Sequence, residues 1–228
     1  FAVPRRTEIL DIEINQDVES LIEREDMVVT LTNSGYIKRT TLSTYRAQKR
    51  GGKGRAAMSI KDEDFIRQVF VLNTHDPVLF FTNTGIVYEL KVYKLPLGNP
   101  QAKGRPIINL LPLSEGEKVT TMMPLPENQD NPPDLMFATR SGNVRRNPLS
   151  DFSNVKANGK IAMKLVEGDS LIGVVPCKKS DDIMLSASLG KCMRFRSNDV
   201  RLFKGRGSIG VRGIRLKPED HVISISVL

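Results

Sequence analysis

Short apolar segments recur along the chain, and each is followed first by a glycine and then by a segment that carries basic side chains. In the first occurrence, residues 27–31 are rich in β-formers, Asn33-Ser34-Gly35 follows, and residues 36–40 return. Such segments on both sides of a turn that ends in glycine favour a β-hairpin, because glycine can adopt the left-handed conformation that closes a three-residue loop. The pattern predicts a strand, a tight turn and a returning strand.

The same hairpin pattern occurs four times, which indicates a repeat protein. The turn glycines lie 50, 57 and 48 residues apart; they are Gly35, Gly85, Gly142 and Gly190. An apolar strand before each turn is predicted at 27–31, 78–81, 135–138 and 183–185. A strand that carries bases is predicted after each turn at 37–39, 86–91, 144–146 and 192–196.

The second half of each unit repeats as well. After a basic or glycine-rich loop, a short strand is predicted at 56–60, 107–111, 161–165 and 211–216. An acidic turn follows, and then an apolar strand at 69–72, 119–123, 171–175 and 222–227. Around four short strands per unit, with few helix signals, are typical of a propeller blade. We therefore expect an all-β fold of about four four-stranded antiparallel blades, whose basic loops line one continuous rim.

Composition limits the other classes of protein. The chain has 228 residues, 39% of them hydrophobic, which is enough to form a core. It has no initiator Met, no signal-peptide pattern and no apolar run near the roughly 18 residues of a membrane span. We expect a piece of a longer cytoplasmic protein with no membrane partner. Cys177 and Cys192 lack metal-binding spacings, which predicts two reduced, buried thiols and no metal site.

Basic residues are concentrated in four windows of the sequence, at 36–55, 91–105, 140–164 and 191–217. These windows carry a net charge of +24 while the whole chain carries +8, so the remaining residues carry −16. Randomly mixed charge would serve solubility equally well, so segregation of this strength indicates a basic surface with a function. The partner that such a surface predicts is a polyanion.

The densest basic stretch is residues 45–55, which hold five cations and no anion. Within it, Gln48-Lys49-Arg50-Gly51-Gly52-Lys53-Gly54 resembles the seven-residue basic box in the C-terminal domain of the DNA gyrase A subunit. The similarity covers almost the entire chain. It includes Arg5-Arg6-Thr7-Glu8-Ile9, Tyr36-Ile37-Lys38, Lys103-Gly104-Arg105-Pro106-Ile107 and Gly210-Val211-Arg212-Gly213-Ile214-Arg215-Leu216.

The resemblance implies the β-pinwheel, a propeller-like fold in which neighbouring blades exchange a strand. The family pattern has six blades, of which this sequence shows four units, so we expect the last blades of the family to be missing. Residues 1–10 are predicted to be the linker from the preceding domain, and 11–228 the β-pinwheel domain.

The resemblance also implies a function. In this family the domain wraps duplex DNA around its outer rim without sequence preference, so that the holoenzyme can introduce negative supercoils with ATP. We therefore expect its partners, in the bacterial cytoplasm, to be double-stranded DNA, the rest of the gyrase A subunit, and the gyrase B subunit. The chain by itself is expected to have no catalytic residue and no cofactor, because ATP and Mg²⁺ are used by the holoenzyme.

The predicted DNA-binding residues form three groups. The first is the basic box, Gln48, Lys49, Arg50, Gly51, Gly52, Lys53 and Gly54. The second is its flank, Lys38, Arg39, Arg46 and Arg55. The third lies further along the rim and comprises Lys103, Arg105, Arg145, Arg146, Lys160, Arg194, Arg196, Lys204 and Arg206.

Three other functions are compatible with parts of the sequence. One is the homologous domain of topoisomerase IV, a decatenase, whose box is usually degenerate; the intact box here argues against it. Another is a propeller scaffold that binds acidic proteins, whose complexes would not constrain DNA supercoils. A phosphate-ester enzyme is disfavoured because no carboxylate or metal cluster is assembled.

Residues 205–210 match a dinucleotide fingerprint, but a strand pattern follows where that motif requires a helix.

Overall fold

A computed structural model of the protein describes residues 18–45, 64–125 and 132–228. The strands in these ranges are β1 Asp26–Thr32, β2 Tyr36–Thr41, β3 Ile66–Asn73, β4 Pro77–Thr82, β5 Ile86–Lys91, β6 Arg105–Pro106, β7 Val119–Pro124, β8 Asp134–Thr139, β9 Asn143–Pro148, β10 Lys160–Ile161, β11 Leu171–Cys177, β12 Asp182–Ala187, β13 Cys192–Arg196, β14 Val211–Arg212 and β15 Val222–Val227. The helices there are short 3-10 turns: Val18–Leu21, Leu42–Thr44, Val92–Lys94, Ile107–Asn109, Leu149–Phe152 and Ser197–Asp199. None of these turns has the length or the apolar run needed to cross a membrane.

The strands form four small antiparallel sheets, with the orders β3-β1-β2-β6, β10-β5-β4-β7, β11-β8-β9-β14 and β13-β12-β15. The edge strands β3, β7, β11 and β15 pack against one another in succession, so they line the axis of the assembly. We call the opposite edge of each sheet its outer edge. This arrangement confirms the predicted all-β fold with four propeller blades.

Neighbouring blades exchange a strand, as the resemblance implied. The outer strand of each of the first three sheets belongs to the following repeat unit, and the partners are Arg105 with Ile37, Ile161 with Ile86, and Val211 with Val144. The fourth sheet differs, because β13 is its outermost strand within the described part of the chain. The expectation of four strands per blade therefore holds for three blades and is wrong for the fourth as described.

The exchanged strands are shorter than the sequence predicted. The predictions at 161–165 and 211–216 are wrong in extent, since β10 and β14 have two residues each. The prediction at 107–111 is wrong in position, since β6 is Arg105–Pro106 and Ile107–Asn109 is a 3-10 turn. The chain turns after the second residue because consecutive N–H groups reach one carbonyl: Ala162 and Met163 donate to Gly85 O at 2.8 and 3.1 Å. Met163 is buried there, so its apolar character reflects packing between blades and not a longer strand. The prediction at 56–60 lies outside the described residues.

Among the described residues, the hydrophobic core consists of three clusters, each shared by two successive blades. In the cluster between the second and third blades, the rings of Phe81, Phe137 and Phe152 are fully buried, with centroids 5.5 to 5.7 Å apart. One blade has a single sheet and cannot bury its apolar face alone, so stacking of the units creates the core.

Each hairpin turn is closed by its glycine and by a polar side chain. The turn glycines have φ values from 79° to 91°, as the sequence predicted for this position. In the first unit, the side chain of Thr32 accepts a hydrogen bond from Tyr36 N at 3.1 Å. Asp64, from the acidic turn of the same unit, accepts one from Ser34 N at 2.9 Å. The acidic turns therefore stabilise the hairpins.

The two cysteines have different environments. Cys177 is buried on β11, and burial raises the pKa of its thiol to about 12. Cys192 is exposed, so the prediction of two buried thiols is wrong for this residue. The reason is the position of β13, which has no exchanged strand against it in the described ranges.

Candidate nucleic-acid interface

Cations in the strands are segregated by distance from the axis. Within the described strands, the axial set β3, β7, β11 and β15 and the next set β1, β4, β8 and β12 contain a single cation, Arg67. The other strand cations lie on the outer strands, which are two in each of the first three blades and β13 in the fourth as described: Lys38, Arg39, Lys91, Arg105, Arg145, Arg146, Lys160, Arg194, Arg196 and Arg212. The repeat therefore places positive charge at the outer edges of successive sheets.

Several predicted DNA contacts are accessible at these edges. Arg105 on β6, Arg196 on β13 and Lys204 are exposed, and Lys160 on β10 is half-buried. The ammonium group of Lys103 lies 3.8 Å from the centroid of the Tyr36 ring, a cation–π contact that holds the side chain against β2. Each of the four outer edges thus carries at least one cation that solvent can reach.

Lys38 occupies the interior, which corrects the prediction that it contacts phosphate. Its side chain is fully buried, and its Nζ donates to the carbonyl oxygens of Asn99 at 2.9 Å, Pro100 at 2.6 Å and Ala102 at 2.9 Å. An ammonium group has three donors, and here all three are used by the protein. Burial lowers the pKa of Lys38. No donor remains for DNA in this conformation.

Arg145 and Arg146 are also buried, and their burial corrects the prediction that they contact phosphate. Arg145 donates to the carbonyl oxygens of Arg206 at 2.7 Å and Ser208 at 2.8 Å, and also to that of Ala162. Burial lowers the pKa of Arg145 to about 10, opposed by the nearby charge of Asp151. Arg146 is 4% exposed and donates to Asn198 Oδ1 at 3.5 Å.

Three further residues of the predicted DNA-binding set are only partly accessible or already bond to protein groups. Arg39 is half-buried, and its Nε donates to Leu95 O at 2.8 Å. Arg194 is exposed but pairs with the carboxylate of Asp182, its Nε donating at 3.0 Å. Arg206 is half-buried. The contact of these residues with DNA stays a prediction.

Gln48 to Gly54, together with Arg46 and Arg55, lie outside the described residues. Their proposed role rests on the sequence.

Sequence reasoning missed some of the exposed cations, and Arg212 and Arg201 are two of them. Arg212 lies on the exchanged strand β14, and Arg201 stacks on Phe203 with its guanidinium carbon 4.3 Å from the ring centroid. The available signal was the repeat itself, because Arg105 and Arg212 both follow a loop that ends in glycine, at Gly104 and Gly210.

The fold and its charged edges define an all-β repeat protein of the propeller class. The family described as "DNA gyrase C-terminal domain, beta-propeller" matches this chain over residues 26–73, 76–126, 133–178 and 181–228, one segment per blade. The chain belongs to this family.

Curated relatives give the same assignment. The chain is 57% identical over 230 residues to the DNA gyrase A subunit of Rickettsia conorii (strain ATCC VR-613 / Malish 7), covering 100% of this chain and 25% of that protein. It is 46% identical over 227 residues to the DNA gyrase A subunit of Escherichia coli (strain K12), covering 100% and 26%. The chain therefore spans about a quarter of the length of these relatives.

Solved structures share the fold. The crystal structure of the C-terminal domain of DNA topoisomerase IV has a TM-score of 0.78 and 26% identity, covering 91% of this chain and 62% of that one. A structure of the DNA gyrase A C-terminal domain has a TM-score of 0.63 and 29% identity, covering 89% and 65%.

Proposed function

We propose that this chain binds and bends duplex DNA without sequence preference, as the wrapping domain of a gyrase A subunit. The holoenzyme would use this bent DNA to introduce negative supercoils with ATP and Mg²⁺, in the bacterial cytoplasm and together with the gyrase B subunit. The observation that carries the proposal is the presence of accessible cations on four successive outer edges, with a nearly cation-free axis. The family assignment supports the same function.

The electrostatics of DNA explain why cations must recur along the edge. Bending a segment of 20–30 bp costs roughly 1–6 kcal/mol, so the protein must hold the phosphates at several points along the curve. Each neutralised phosphate releases counterions, and log K falls by about 0.9 per contact for each unit of log[salt]. Contacts to phosphate position the duplex and carry no direct sequence information, so cations that contact the DNA backbone favour binding without sequence preference.

The basic box provides a test in the parent enzyme. We expect Lys49→Ala, Arg50→Ala and Lys53→Ala, introduced together into the full-length protein, to abolish ATP-dependent supercoiling while relaxation without ATP and DNA cleavage survive. The reason is that wrapping is needed only for the direction of strand passage. A matched control removes three exposed cations outside the outer edges, Lys118, Lys178 and Lys179. Normal supercoiling by the box variant would contradict the proposal.

A topoisomer assay separates wrapping from simple binding. Nicked circles are ligated in the presence of the 228-residue chain, and the linking number is then counted. A wrapping domain shifts the linking number, whereas a scaffold that binds acidic proteins leaves it unchanged. The better superposition with the topoisomerase IV domain keeps decatenation as the second candidate. A parent enzyme that decatenates but does not supercoil would favour that candidate.

A further inference from the structure

Two buried cations occupy the same place in different repeat units. Lys38 lies three residues after the turn glycine Gly35, and Arg145 lies three residues after Gly142. Both side chains are fully buried, one on β2 and the other on β9. A buried charge is costly unless its donors are paired, so the partners at these two positions indicate what the cations do.

The partners of Lys38 are backbone carbonyls of the following unit. Its Nζ bonds to three carbonyl oxygens between residues 99 and 102, and the hydroxyl of Thr40 donates to Gly98 O at 3.0 Å. Four carbonyl groups of loop 98–104 are therefore held by side chains of β2. This loop leads directly into the exchanged strand β6.

Arg145 holds the equivalent loop, residues 204–210. Its Nη1 bonds to Arg206 O and Ser208 O, while the amide of Asn147 donates to Gly205 O at 2.8 Å and Phe203 O at 3.1 Å. Asn147 occupies the position of Thr40, five residues after the turn glycine. The third and fifth residues after the turn glycine thus fix equivalent loops in two different units.

The last residue of each loop is a glycine that packs directly against the backbone of the hairpin strand. A Cβ on Gly104 would lie 2.5 Å from Ile37 O, and one on Gly210 would lie 2.2 Å from Val144 O. Both glycines have positive φ, at 82° and 81°. The contact cannot form with a side chain present, so the glycines and the buried cations hold the loop together.

These loops also carry accessible cations of the outer edge. Lys103 and Lys204 lie within them, and Arg105 follows the first. We propose that Lys38 and Arg145 are positioning residues that fix these loops, and with them the phosphate-binding cations, on the preceding blade. The proposal rests on the proposed function. It gives Lys38 and Arg145 the role of setting the path of the DNA, and not that of contacting phosphate directly.

The other two units lack a cation at this position. The third residue after the turn glycine is Tyr88 in the second unit and Met193 in the fourth. Tyr88 is buried, whereas Met193 is 37% exposed. The cationic anchor is therefore specific to the first and third blades, which makes a local test possible.

Variants of Arg145 and Gly210 in the 228-residue chain test the proposal. Arg145→Met removes the donors and keeps much of the volume, while Arg145→Lys keeps a cation of the kind that Lys38 provides in the first unit. Gly210→Ala displaces the loop without changing any charge. Gly168→Ala is the matched control, because Gly168 has a similar φ of 78° and nothing within 4 Å of an added Cβ.

Two measurements are made on each variant: amide exchange of residues 204–210 by mass spectrometry, and the linking-number change of ligated circles. We expect Arg145→Met and Gly210→Ala to speed loop exchange by about tenfold or more and to reduce the linking-number change, with Arg145→Lys and Gly168→Ala close to wild type. Unchanged loop exchange in Arg145→Met would overturn the proposal, and a reduced linking-number change in the same variant would then favour direct phosphate contact.

The design separates the possible failures. If Arg145→Met does not fold, the comparison of Gly210→Ala with Gly168→Ala decides, and equal behaviour of the two overturns the proposal. If the wild-type chain leaves the linking number unchanged, the proposed function fails, while the exchange measurement still decides whether Arg145 holds the loop.

Discussion

Asp220 accepts hydrogen bonds from the backbone N–H groups of Leu189 at 3.0 Å and His221 at 2.8 Å, and from the hydroxyl of Ser188 at 2.9 Å. Asp64 and Asp169 make the corresponding contacts with Ser34 N and Ser141 N. Each of these acids comes from the turn before the axial strand and reaches the hairpin turn of its own blade. The negative charge that balances the outer edges therefore also stabilises the fold.

Asp220 makes this stabilisation dependent on pH. Burial disfavours its charged form, but the hydrogen bonds outweigh this effect and lower the pKa of Asp220 below its ordinary value of 3.8. A lowered pKa in the folded state gives stability that is fully present above pH 3.8 and is lost as the pH falls through the folded value. We expect Asp220→Asn to lower Tm near neutral pH. At pH values below the folded-state pKa of Asp220, we expect the variant and the wild type to have the same Tm. Thermal melts of both proteins, from neutral pH down to below the pKa of Asp220, measure the Tm difference. A Tm difference that does not change with pH would contradict the prediction.

Burial of individual cations could not be predicted from the sequence. The basic windows were visible, but Lys38 finds its carbonyl partners 61 to 64 residues further along the chain. A single sequence shows the spacing of charges within a unit and does not show which side of the hairpin strand the next unit covers. Lys38 and Lys103 therefore looked alike, although one is inside and the other is accessible.

At the scale of the strands, each blade depends on its neighbour twice, through the exchanged strand and through the shared core. The turn glycines and the apolar segments predicted the hairpins correctly, since these contacts are local. The exchanged strands predicted at 161–165 and 211–216 overlap β10 and β14, whereas β6 lies just before the predicted 107–111. Their extent was not predicted, because the turn after Ile161 depends on a carbonyl of another unit, Gly85 O.

Phe152 tests the energetic weight of the shared core. It lies on the 3-10 turn Leu149–Phe152 of the third unit and packs against Phe81 of the second. Truncating a buried phenylalanine to alanine removes apolar contacts and leaves a cavity, so we expect Phe152→Ala to lower the free energy of unfolding by about 3–5 kcal/mol.

Urea unfolding measures this loss. The control is Phe65→Ala, because Phe65 is 56% exposed and the same truncation there should cost within about 0.5 kcal/mol. Equal losses in the two variants would mean that the contact between the second and third blades contributes little to stability.

At the scale of the whole molecule, strand exchange places charge where a long partner can reach it. The strand that carries Arg105 completes the sheet of the preceding unit, and the same holds for Lys160. Successive blades thus present cations at equivalent positions on their outer edges, while the axial strands contribute Arg67 within the described ranges. A curved duplex that follows these edges would neutralise phosphates on several blades at once.

The salt dependence of DNA binding distinguishes this arrangement from a general attraction to positive charge. The variant Arg105→Gln, Lys160→Gln and Lys204→Gln removes three outer-edge cations, and Arg67→Gln, Lys118→Gln and Arg140→Gln removes three cations from other positions. Both have the same net charge. If each outer-edge cation contacts one phosphate, the slope of log K against log[salt] falls by about 0.9 per residue, or roughly 2.7 for the first variant, and stays near the wild-type value for the second. Fluorescence anisotropy with a duplex of about 40 bp, at several salt concentrations, measures both slopes. Equal slopes would show that DNA responds to the total charge of the domain and does not follow the outer edges.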